Sequence, residues 1–210
     1  DRGAYEFHRW LRRQIAQNRP YDEWVRELVT ASGSAAENGP VNFYRAATPE
    51  DAAKTVSQAF LGVRLECAQC HHHPYEKWSQ QDYYSFGAFF SRVGRKGGSA
   101  PGEDVIFHKR GVAEAVNKKN KQPVRPAGLA AKPADLSEDD DPRLALADWM
   151  TSRDNPFFAR SLVNRYWKHF FNRGLVEPED DMRETNPPTN PELLDALATQ
   201  FIQSGYDLKQ

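Results

Sequence analysis

The sequence predicts a mainly α chain, with helical segments toward both ends and one irregular, partly β insert between them. Three observations carry that expectation. Apolar residues recur at three-and-four spacing over residues 5–28, 48–63 and 192–204. Helix-start signals, Thr48-Pro49 and Asn155-Pro156, stand directly before helical stretches. Between residues 93 and 141, by contrast, glycine, proline and lysine dominate and the periodicity is lost.

The elements follow in order. Tyr5 to Leu28 reads as helix broken at Pro20. Tyr5, Phe7, Trp10, Leu11 and Ile15 form the inward stripe, and Arg9, Arg12 and Arg13 face solvent. Pro20 fits the first turn of a second helix carrying Tyr21, Trp24, Val25 and Leu28. Residues 31–40 read as loop. A third helix starts at an N-cap Thr48, with Pro49 at N1 and Asp51 at N3 in the capping-box position; Val56, Ala59, Phe60 and Val63 are its stripe. Trp78 to Phe90 is a fourth, aromatic-rich helix. In the insert only Asp104–Lys109 and Gln122–Arg125 look like strands, and a hairpin is expected there. The acidic run Glu138–Asp141 reads as a solvated turn, after which Pro142 opens a helix over Arg143–Thr151. Pro156–Phe171 follows, N-capped by Asn155 and stopped by Gly174. An amphipathic helix over Glu192–Ser204 closes the chain. The expected divisions are 1–92, a helical domain; 93–141, an insert or linker; and 142–210, a small helical domain.

Composition excludes several function classes. With 28 basic against 29 acidic side chains in 210 residues, the chain lacks the positive field of a dedicated nucleic-acid or anionic-membrane binder. No apolar run reaches the roughly 18–20 residues of a membrane span. Two cysteines cannot build a disulfide scaffold. Both fall in one stretch, Cys67-Ala68-Gln69-Cys70-His71.

That stretch is the C-x-x-C-H pattern of covalent c-type haem attachment. Two thiols three residues apart can add to the two vinyl groups of the porphyrin, and the adjoining histidine then serves as the proximal iron ligand. Three readings compete with it. Zinc could take Cys67, Cys70, His71 and His73, but structural zinc sites pair two ligand clusters well separated in the chain, and no second cluster exists. A thioredoxin-like redox pair needs a βαβ setting this helical sequence lacks. A pair of plain structural thiols is the third. For the sixth iron ligand the candidates are His8, His72, His73, His108, His169, Met150 and Met182. His108 is favoured, because Val105-Ile106-Phe107-His108 is strand-like inside an insert with no other evident purpose. His169, amid aromatics, reads rather as a hydrogen-bonded core residue, and the two methionines read as packing. Asp180 and Asp181, like Glu138–Asp141, read as exposed charge rather than catalytic pairs.

The run from Phe60 through Cys67, Cys70, His71, His72, His73 and Pro74 to Tyr75, continued by Trp78 and Gln81-Asp82-Tyr83-Tyr84, resembles the signature of the planctomycete cytochrome C-like domain. Asn155 to Arg160, Asn164-Arg165, Phe171 to Val176 and Asn186 to Leu194 resemble the domain of unknown function that follows it in the same proteins. The resemblance implies a helical c-type cytochrome-like domain in large secreted or periplasmic proteins. It carries over to Cys67, Cys70 and His71 and includes His73 in the pattern; His72 stands where relatives often have Asp or Asn. It also implies that the chain is a piece of a longer protein.

The function expected from these readings is electron transfer by covalently bound haem c, in the periplasm or outside the cell, with an unidentified redox partner protein. His71 and His108 are the expected metal ligands; His73, near a propionate, and Tyr75, Trp78 and Tyr84, shielding the ring, complete the expected cofactor contacts. A haem enzyme with peroxidase-like or oxidative activity and a zinc-binding structural module are the alternatives.

Overall fold

The computed structural model describes residues 2–44, 48–69, 77–99 and 103–210, with Cys67 through its backbone alone. It is mainly helical, with short strands confined mostly to the insert. Helix α1 spans Arg2–Ala16 and α2 spans Tyr21–Val29. A 3-10 helix over Gly39–Tyr44 lies directly on α1, so close that a side-chain carbon at Gly39 would come within 2.6 Å of the Glu6 carbonyl and 2.7 Å of the Trp10 Cβ. This contact selects the buried face of α1: Gly3, Trp10 and Gln14 are buried, whereas Tyr5 and Ile15 are exposed rather than part of the stripe. Pro20 occupies the N-cap of α2, one residue before the first helical turn.

Helix α3, Pro49–Leu61, is closed at its start by the expected capping box. The Thr48 hydroxyl accepts from the Asp51 amide at 3.1 Å, and the Asp51 carboxylate accepts from the Thr48 amide at 3.2 Å. It ends at Gly62 in the left-handed region, where the Met182 and Ser161 side chains approach closely. A short 3-10 helix covers Glu66–Gln69, and α4 covers Gln80–Ala88, shorter than the expected Trp78–Phe90. Ser79 and Asp82 form a second capping box at its start.

The insert supplies strands β2, Val93–Gly97, and β3, Asp104–His108, which pair antiparallel, with β1, Gly33–Ser34, on the other side of β3. A two-stranded ribbon joins β4, Ala115–Val116, to β5, Pro123–Val124. In β2 the glycine is structural: a Cβ at Gly94 would sit 2.6 Å from the Phe107 ring, which closes over it from β3.

Helices α5, Pro142–Thr151, α6, Phe158–Phe171, and α7, Pro191–Gln203, complete the chain. Asn155 does serve the start of α6, its side-chain oxygen accepting from the amides of Phe157 and Phe158. The left-handed residue that stops α6 is Asn172 rather than Gly174, because an asparagine tolerates that conformation and is reached first. Helix α6 packs along α7 and on α3, and α5 packs on α2. One hydrophobic core therefore runs from Trp10 to Tyr206. At its centre Tyr21 stacks on Phe158 at 4.9 Å, and Tyr206 meets both Phe158 and Phe201 edge-on. A smaller cluster around Leu175, Val176 and Leu194 lies between α6 and α7.

Among the polar groups of this core, Arg143 dominates. It is 1% exposed, holds both Asp141 carboxylate oxygens, donates to the Ala31 carbonyl at 2.7 Å and the Ser32 hydroxyl at 2.9 Å, and lies over the Tyr44 ring. Burial works against its charge, but the Asp141 bonds and neighbouring charges outweigh it and hold the guanidinium above its ordinary pKa.

Candidate functional site

The local structure around the cysteine motif begins at Gly62, where α3 stops and the chain turns. Val63 and Leu65 drop into the core while Arg64 points outward. The 3-10 turn Glu66–Gln69 follows, with the Ala68 amide donating to the Leu65 carbonyl at 3.0 Å and Ala68 wholly buried. The turn packs against α4. Cys70, His71, His72, His73 and Tyr75 lie outside the described residues.

On the near side of that stretch, two side chains of α4 converge on one atom. Gln80 Nε2 and the Tyr84 hydroxyl both donate to the Gln69 carbonyl, at 3.1 and 3.3 Å. Four residues apart, they share one helical face, and both are buried. The Ser79–Asp82 box fixes the start of the helix that presents them. On the far side, Trp78 is buried, meets Phe157 edge-on at 6.0 Å, and carries the Lys77 ammonium over its ring at 5.2 Å.

A loop from the C-terminal third frames both sides. The Met182 amide donates to the Gly62 carbonyl at 2.8 Å, Asp180 binds Gln58 and Arg64, and Glu184 pairs with Lys77 at 2.5 Å. Asp180 and Asp181 are thus not the free surface charges expected: Asp181 is 7% exposed and pairs with Arg183, and the Arg64 and Gln58 bonds overcome burial to hold the Asp180 carboxyl below its usual range. Of the Glu138–Asp141 run, the first three are exposed as expected, whereas Asp141 is committed to Arg143.

The remaining ligand candidates are dispersed. His108 is the last residue of β3, opposite Val93, and its buried Nε2 has no hydrogen-bond partner among the described residues. Its strand packs on β1, β2 and the 39–44 turn, whereas the Gln69 carbonyl is held by the start of α4. His169 is exposed on α6, with its ring edge-on to Phe170 at 5.2 Å, and is not the core residue expected. His8 is exposed on α1, Met150 is fully buried, and Met182 packs on Gly62. Among the described residues, no group of three His, Cys, Asp or Glu side chains comes together to hold a metal ion, and no helix is long and apolar enough to cross a membrane. A cavity of about 320 Å³ opens between α6 and α7, lined by Tyr166, Trp167, Phe170, Phe171 and Leu197 among others.

The donor set Cys67, Cys70 and His71 fits haem c by its chemistry: two thiols at vinyl spacing and an imidazole adjoining them. What the sequence alone did not reveal is the Gln80–Tyr84 clamp. Its signal was present in the i, i+4 spacing, but only the packing of α4 shows which carbonyl the pair serves.

Residues 1–95 match the family described as PSCyt2, a protein of unknown function (DUF1549), and residues 142–210 match the family described as PSD1, a protein of unknown function (DUF1553). The order is the one the sequence resemblance implies. The first of these families is named a planctomycete cytochrome C-like domain. No curated protein and no solved structure gives a match.

Proposed function

Taking the chain as a PSCyt2 segment followed by a PSD1 segment, we propose that it is a c-type haem carrier whose task is electron transfer in the periplasm or outside the cell. The observation that carries this reading is the run Cys67-Ala68-Gln69-Cys70-His71, which holds the only cysteines of the chain. The family's cytochrome C-like name supports it. Bound haem would supply one-electron iron chemistry.

The chain's own part is holding and shielding. Cys67 and Cys70 would hold the group by thioethers, and His71 would bind its iron. Trp78 and Tyr84, both buried, add apolar surface beside the motif and lower its exposure to water, which tunes the potential. His108, whose buried Nε2 has no hydrogen-bond partner among the described residues, would be the second protein nitrogen available to the iron. The envelope location follows from the chemistry, since covalent haem attachment takes place outside the cytoplasm.

The test is optical. Protein produced with the haem-attachment machinery keeps its colour through acid–acetone extraction and gives a thioether-type pyridine hemochrome spectrum. The same protein with His108→Ala turns from low-spin to high-spin; an unchanged spectrum removes His108 from the iron. A colourless chain carrying stoichiometric zinc contradicts the whole reading.

A further inference from the structure

We propose that the outer edge of strand β2 is a docking site for an extended acidic segment of a partner protein, which joins the sheet as a further strand. The sheet order is β1-β3-β2, so one side of β2 carries no strand. The register decides which backbone groups face that side. Lys109 donates its amide to the Arg92 carbonyl and Gly98 donates to the Glu103 carbonyl, both at 2.8 Å. With Arg95 set against Ile106, the residues bonded to β3 are therefore Arg92, Gly94, Lys96 and Gly98. The amides and carbonyls of Arg95 and Gly97 point the other way, and no group bonds to them among the described residues. Both residues are exposed. An open edge of this kind is a template for main-chain pairing with another chain.

Charge identifies the occupant. Arg92, Arg95, Lys96 and Lys109 gather along this strand, and none of them forms an ion pair among the described residues. Arg92 donates to the Lys109 and Arg110 carbonyls, Arg95 binds the Tyr44 carbonyl, and the Lys96 ammonium lies over the Phe107 ring at 5.7 Å. The Lys109 side chain lies beside Gly94. These contacts hold the side chains without neutralising them. A second copy pairing edge to edge would set the same cations against each other, whereas an acidic strand meets them with opposite charge. The face that carries Arg95 also offers a seat for one side chain. A cavity of about 230 Å³ opens there, lined by Tyr44, Ala52, Phe90, Val93, Arg95 and Ile106. Directly paired residues share a face, so the residue set against Arg95 presents its side chain to that cavity. The segment is thus apolar at that position and acidic at the positions on either side of it.

The test uses the full chain and a short peptide, blocked at both ends, in which glutamate alternates with valine. Amide exchange followed by nuclear magnetic resonance is the readout, and it needs no haem. In the free chain the amides of Gly94 and Lys96, bonded to β3, exchange slowly, and those of Arg95 and Gly97 exchange fast. The peptide is expected to slow Arg95 and Gly97 and to leave α1 and α6 unchanged. The same peptide with lysine for glutamate, or with its backbone nitrogens methylated, is expected not to do so. Arg95→Gln removes a charge and keeps the edge amide; Arg95→Pro removes both, and proline is tolerated where the missing amide faces outward. Arg95→Pro should bind the glutamate peptide about fivefold more weakly than Arg95→Gln, the worth of one hydrogen bond. Absence of protection at Arg95 and Gly97, or equal binding of the glutamate and lysine peptides, overturns the proposal and leaves the cations as guards against edge-to-edge aggregation. The methylated peptide acts on the unaltered chain, so a variant that fails to fold does not remove the test.

Discussion

Arg143 is the side chain on which most of the interior polar order depends, since it joins the start of α5 to the loop after α2. Breaking a buried ion pair by removing one partner leaves the other charge uncompensated. Arg143→Ala is therefore expected to cost about 3–5 kcal/mol, seen as a lower urea midpoint at unchanged slope. Arg143→Lys recovers only part of it, because one ammonium cannot reach Asp141, Ala31 and Ser32 together. A loss below about 1 kcal/mol, the range of surface pairs, would show that the network is dispensable. Arg64 with Asp180 is the contrasting case: the partners are 45% and 15% exposed, so their pairing orients the loop more than it stabilises the fold.

At the level of elements, capping chemistry was the most readable feature of the sequence. Thr48-Pro49-x-Asp51 announced α3 and its box correctly. Ser79-x-x-Asp82 carries the same pattern, yet the aromatic run beginning at Trp78 drew the expected helix too early. Ser79→Ala is expected to cost about 1 kcal/mol and to loosen the helix that presents Gln80 and Tyr84; an unchanged melting temperature would contradict the cap. Strand β2 was not legible because Val93-Gly94-Arg95-Lys96-Gly97 has no apolar alternation, carries two glycines and has a single β-branched residue, Val93. Its place is decided by β3, whose Phe107 ring needs the absent side chain of Gly94. The exposed Tyr5 and Ile15 show the same limit on α1, where the 39–44 turn, remote in sequence, chooses the buried face. The site was legible only as a list of donors; the Gln80 and Tyr84 bonds to the Gln69 carbonyl became visible when α4 was packed against the turn.

For the whole molecule, residues of the two family segments pack into one hydrophobic core. Tyr21 of the first stacks on Phe158 of the second, and the Tyr21 amide donates to the Tyr206 carbonyl at 3.0 Å. Unfolding followed by tryptophan fluorescence and by far-ultraviolet circular dichroism is therefore expected to give one coincident transition. Phe158→Ala should lower it for both probes by about 3–5 kcal/mol; two separated transitions would mean independent domains. The residues on either side of the Cys67–His71 stretch tie the two segments together, Arg64 to Asp180 and Lys77 to Glu184. The claim that this stretch anchors haem is tested most directly by the mass of the denatured chain after expression with the attachment machinery. The account predicts polypeptide plus one covalently held haem, lost when Cys67 and Cys70 are both changed to alanine. A denatured mass equal to the polypeptide alone, with two titratable thiols, would contradict it.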